Sequence, residues 1–164
     1  MGVFNQQQEK IKKFIVLAVL FLFILWWLAK AQWQMASVWS EILLFIVAYG
    51  LGLLLISGDE KYLQKIYGGE LEKKILITRT PLFLLVLPIL SVFILTSTGS
   101  LAGIALIMAI NLVILIEIWQ LAPQQKVFNQ YFLQGIKKDI SLSEIRIVKF
   151  VALIYFFLLL FLFR

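Results

Sequence analysis

Apolar and polar stretches alternate five times along the chain, with apolar runs at about 14–32, 36–57, 81–98, 101–122 and 147–163. Each run comes close to the roughly 20 residues that a helix needs to cross the hydrocarbon core of a bilayer. The pattern predicts an all-α integral membrane protein, a single transmembrane domain over 1–164 built as a bundle of about five helices. Local signals mark several helix ends. Thr80 before Pro81 reads as an N-cap with proline at the first helical position, and Pro88 inside the same run predicts a kink. Only five small residues at 96–100 join the third and fourth runs, which predicts a tight hairpin. Pro123 stops the fourth run, and Ser141 with Glu144 forms a capping box just ahead of the fifth.

The polar segments carry their own pattern. In the loop 58–80, Tyr62, Leu63, Ile66 and Tyr67 fall on one helical stripe. In the loop 123–146, Val127, Phe128, Tyr131 and Phe132 repeat it. Both predict short amphipathic helices lying in the membrane interface. Tyr62, Ile66, Tyr67, Phe128, Tyr131 and Phe132 are therefore candidates for interfacial docking, either to lipid or to a partner.

Charge orients the bundle. With the N-terminus inside, thirteen of the fifteen Lys and Arg residues lie on the inner side, and only Lys30 and Arg164 lie outside. The positive-inside rule then predicts an N-in, C-out protein with both long loops in the cytoplasm, in a prokaryotic cytoplasmic membrane. The net charge of +6 is assigned to contact with anionic lipid headgroups, not nucleic acid, because no basic domain stands apart from the apolar runs. The first run also has a rival reading as a signal peptide, with Ala29, Lys30 and Ala31 resembling a cleavage site, but its apolar core is long for one.

Composition excludes much chemistry. The chain has no Cys and no His, so thiolate nucleophiles, Ser–His pairs and histidine-ligated zinc or haem are absent. No cofactor is expected. The acids Asp59, Glu60, Glu70 and Glu72 could in principle hold Mg²⁺, but Asp59 and Glu60 read as a solvated helix start among lysines.

Ionisable and polar residues within the apolar runs are functional candidates by default. Glu41 shares a helical face with Ala48 and Gly52, small residues that permit close helix contact. Glu117 lies near the inner end of the fourth run, on roughly the same face as Gly99 and Gly103, and close enough to the inner surface to pair with a basic loop residue. Ala102, Ala105 and Ala109 flank that face, which makes the fourth run the candidate centre of the bundle. Asn111 points about 120° away from Glu117 and is placed to bond another helix. The two acids are expected roughly 15–20 Å apart along the membrane normal, too far for a catalytic dyad. The sequence therefore favours a non-catalytic subunit, assembly factor or scaffold, packed against another membrane protein or itself. The alternative is an oligomeric transporter or channel working through Glu41 and Glu117.

Overall fold

The computed structural model describes residues 6–30, 35–59, 76–98, 100–133, 136 and 139–162. Every element among them is helical: α1 (Gln6–Lys30), α2 (Met35–Gly58), a 3₁₀ turn (Ile77–Arg79), α3 (Pro81–Phe93), a π turn (Ile94–Thr98), α4 (Leu101–Leu121), α5 (Gln125–Phe132) and α6 (Leu142–Leu162). Three helical stretches, Trp39–Gly58, Leu101–Leu121 and Leu142–Leu162, are long and apolar enough to cross a membrane. A fourth apolar stretch, Pro81–Ser97, is shorter.

The helix ends follow local chemistry. The Thr80 hydroxyl accepts the Phe83 N–H at 3.3 Å, with Pro81 at the first helical position, where its missing N–H costs nothing. α3 continues through Pro88 to a π turn, in which the Thr96 and Ser97 hydroxyls donate to the Val92 and Phe93 carbonyls. Ser100 then caps α4 by accepting the Gly103 N–H at 3.3 Å. Ahead of α6, the Ser141 N–H donates to Glu144 at 2.7 Å while the Glu144 N–H donates back to the Ser141 hydroxyl at 3.4 Å, a reciprocal box.

Two helix starts differ from the apolar runs. α1 begins at Gln6, ahead of the run at 14, and α6 begins at Leu142, ahead of the run at 147. An apolar run measures the stretch suited to lipid, whereas caps decide where backbone hydrogen bonding begins. For α6 the box at Ser141 sets the start, so the helix opens with a polar turn before its apolar length.

α4 occupies the centre. It packs against α1, α2, α3, α5 and α6, and its most extensive contact is with α2. The reason is side-chain size. A Cβ added to Gly52 of α2 would lie 2.6 Å from the Leu106 carbonyl oxygen and 2.9 Å from the Ala109 Cβ, so the two backbones meet directly. Ala48, Ala105 and Ala109 are buried along this seam. α1 closes over α2 through a stacked Phe23–Phe45 pair (centroids 4.6 Å apart) and a Tyr49 hydroxyl donating to the Val16 carbonyl at 3.3 Å. The outer faces of α1, α2, α3 and α6 remain covered with exposed Leu, Ile, Val and Phe.

Candidate functional site

The charged side chains buried in the interior converge at one end of the bundle. Glu117, near the end of α4, is fully buried and engages two cations. Arg79 Nε donates to Glu117 Oε2 at 2.9 Å and Arg79 Nη2 to Oε1 at 2.7 Å, a two-pronged pairing suited to a planar guanidinium. Lys12 Nζ, from the first turns of α1, reaches the same Oε1 at 2.6 Å. The third nitrogen of Arg79 donates to the Thr78 hydroxyl and lies 3.8 Å from Asp59 Oδ2. Asp59 itself accepts the Thr78 N–H at 2.7 Å, the Ile77 N–H at 3.2 Å and the Thr78 hydroxyl. The Tyr131 ring of α5 lies 5.8 Å from the guanidinium carbon, within cation–π range.

Each member arrives for a local reason. The 3₁₀ turn projects Arg79 inward immediately before the Thr80–Pro81 cap, so its direction is set by the start of α3. Asp59 closes the end of α2 and pins the turn's exposed N–H groups. Gln120 Nε2 donates to the Gln8 carbonyl at 3.0 Å, a second tie between α1 and α4. Among the described residues, two acids and two bases face one another here, and both Glu117 oxygens are engaged. Such a cluster holds helices together. Among the described residues, no three acids come together to hold a metal ion.

The expected solvated setting of Asp59 is corrected. It is 2% exposed and terminates α2, with its carboxylate turned onto backbone N–H groups and Arg79. Glu60, Glu70 and Glu72 lie outside the described residues. Lys12 and Arg79 were not singled out in the sequence. One signal was there for Arg79: it is one of three arginines in the chain, set among lysines directly before a helix cap. A planar, two-pronged donor is the residue a buried carboxylate requires.

Asn111 lies in mid-helix and donates to the Ser91 hydroxyl of α3 at 2.9 Å and to the Ile107 carbonyl at 2.8 Å. Ser91 is buried and donates in turn to the Leu87 carbonyl at 2.7 Å. Glu41 sits elsewhere. It is half-buried, makes no hydrogen bond or ion pair with any described residue, and lines a recess with Phe23, Ile24, Ile42, Phe45 and Leu101. The recess encloses about 10 Å³, the least that holds one water and too little for a solute. The structure does not bring Glu41 and Glu117 together.

The small residues divide by location. Ala48, Gly52, Ala105 and Ala109 build the α2–α4 seam. Gly103 faces Ile94, whose Cγ2 would lie 3.2 Å from an added Cβ, so it serves the corner between α3 and α4. Gly99 lies outside the described residues, as do Tyr62, Ile66 and Tyr67. The second interfacial helix is present as α5, but its rings do not offer a docking surface. Phe128, Tyr131 and Phe132 are 2%, 6% and 1% exposed, packed on one another and into the core. The stripe's amphipathicity is satisfied within the chain, because α5 roofs the end of the bundle where the charges meet.

No protein-family model matches this sequence, and no curated protein or solved structure matches it either.

Proposed function

We propose that the chain is a multi-pass membrane protein with five spans, N-in and C-out, serving as a non-catalytic subunit, assembly factor or scaffold in a prokaryotic cytoplasmic membrane. α1 and α3, with the π turn that follows α3, supply the two spans beyond the three helices that are both long and apolar enough. The positive-inside count supports the orientation, since it leaves Lys30 and Arg164 as the outer basic residues. Exposed apolar side chains on four helices support contact with lipid or with a partner's helices.

One observation supports the non-catalytic reading: the buried charges among the described residues pair with one another. A transport or catalytic carboxylate must change protonation or ligand during its cycle, which requires an open coordination site. Glu117 is held instead by Arg79 and Lys12. The transporter alternative rests on Glu41, whose recess is too small to lead anywhere.

Purification of the tagged protein from its native membrane in mild detergent, followed by native mass measurement, tests the reading. A stoichiometric foreign partner is expected, whereas a clean homo-oligomer or monomer would favour transport. Cation or proton flux in proteoliposomes that is lost in Glu41→Gln would overturn it in favour of transport. Orientation is tested with C-terminal fusions: alkaline phosphatase is expected to be active and a fluorescent protein dark, and the reverse pattern would remove one span.

A further inference from the structure

Among the described residues, four cations at the charged end of the bundle contrast in pairs. Lys12 and Arg79 are consumed by acids. Lys149 and Arg146, on α6, donate to no carboxylate among the described residues. Lys149 Nζ rests 3.6 Å from the centroid of the Trp119 ring of α4, and Trp119 is exposed to the surroundings of the bundle. An ammonium on an indole face keeps its N–H donors available on the side away from the ring. Arg146 lies three residues before Lys149, about 60° around the helix, and is exposed.

The same side of α6 continues toward the membrane interior as an apolar stripe. Phe150, Ile154, Phe157 and Phe161 are all exposed, and they lie within about 80° of the direction of Arg146. Glu144, the acid nearest in sequence, points about 160° away from Arg146 and is occupied in the capping box with Ser141. Arg146 therefore stands at the head of an apolar track, with Lys149 and its indole on the flank away from it, about 80–140° from the track residues, and no acid of α6 on that face of the helix. This is the shape of an anionic amphiphile, with its phosphate at the interface and its chains along the helix.

We propose that Arg146, Lys149 and Trp119 form a binding site for the headgroup of an anionic phospholipid, whose acyl chains lie along Phe150, Ile154, Phe157 and Phe161. The site rests on the membrane-spanning reading, with this end of the bundle at the cytoplasmic leaflet. Trp119 sets the depth of the ammonium, Lys149 and Arg146 bind the phosphate, and the stripe supplies the lipid-facing surface. The charge hub on the other side of α4 keeps its own cations away from the lipid by pairing them internally.

The test is native mass spectrometry of the full-length protein in mild detergent, titrated with phosphatidylglycerol or with phosphatidylcholine of the same chains. The wild type is expected to retain phosphatidylglycerol preferentially. Arg146→Gln and Lys149→Gln are each expected to lower that retention about fivefold, and Trp119→Leu to lower it less. Lys126→Gln, an exposed lysine on α5, is expected to leave it unchanged. Thermal unfolding of each variant verifies folding, which these surface positions should preserve. Equal retention of the two lipids, or undiminished phosphatidylglycerol retention in the Arg146→Gln, Lys149→Gln double variant, would overturn the site. Those results leave the subunit reading intact, because partner capture and the C-terminal fusions report on it separately.

Discussion

α4 and α6 are each 21 residues long and equally apolar, with mean hydropathies of 2.6 and 2.5, yet 14 residues of the first and three of the second are buried. Hydropathy therefore does not decide which helix goes inside. In lipid there is little gain in moving one leucine surface from chains to protein, so what sorts helices is close packing and polar bonding. α4 has Gly103, Ala105 and Ala109 for close approach, with Asn111 and Glu117 to bond its neighbours. α6 spends its apolar length on Phe and Leu, which keep neighbours at a distance, and most of these side chains face outward. The contrast is between a helix that is held and a helix that is solvated by its surroundings.

The largest break in this contrast is expected at Arg79. Arg79→Ala would leave Glu117 with Lys12 alone and Asp59 with its backbone donors, both still buried. Removing one partner of a buried ion pair costs about 3–5 kcal/mol, so unfolding in detergent should shift strongly to lower temperature or denaturant. The double variant Arg79→Met, Glu117→Met should recover part of the loss, because it removes the stranded Glu117 charge but leaves Asp59 without its cation and Lys12 without its acid. An Arg79→Ala protein as stable as wild type would mean that the hub does not hold α4.

The next effect is at the α2–α4 seam. Gly52→Ala places a methyl group 2.6 Å from the Leu106 carbonyl oxygen, which forces the two backbones apart. Overpacking of this kind costs about 1–3 kcal/mol. Gly50, two residues earlier, has nothing within 4 Å of an added Cβ, so Gly50→Ala should be neutral or slightly stabilising. Comparing the two by thermal unfolding separates packing from helix propensity on one helix. Equal effects would show that close approach is not what seats α4.

Much of this was legible in the residues. The caps at Thr80 and Ser141, the small-residue faces of α2 and α4 and the central place of the fourth run all follow from local rules of size and hydrogen bonding. That Glu117 pairs with a basic loop residue followed from its depth. The partner's identity did not, because Arg79 reaches it across 38 positions and no periodicity links a turn to a helix end. Asp59 was misread for the same reason: its partners lie 18 and 19 residues onward. α5 shows a further limit. An amphipathic stripe reveals that one face is apolar without saying whether lipid, a partner or the chain's own core covers it, and here the core does.

A smaller effect is expected at Asn111. Asn111→Leu removes the bond to Ser91 but keeps the side chain's approximate volume. Interhelical hydrogen bonds in membrane proteins average about 0.6 kcal/mol and rarely exceed about 1.7. Ser91→Ala should cost a similar amount, and the double variant no more than either single one, since both remove the same bond. Additive losses would show that the two side chains stabilise α4 independently, through contacts other than each other.

The smallest effect carries the other half of the contrast. Phe157 is 61% exposed on the outer stripe of α6. If that stripe meets only lipid or detergent, Phe157→Ala removes no protein contact of consequence, and the change in unfolding should stay within about 0.5 kcal/mol. The same variant in the native membrane then distinguishes the possible coverings of α6. Unchanged partner recovery with a weaker hold on phosphatidylglycerol is the expected result, because the acyl track loses a ring while the headgroup cations remain. Loss of a stoichiometric partner with lipid retention unaffected would place a protein helix on the stripe. α6 would then be a second held helix, buried by the complex in the way α4 is buried by its own chain.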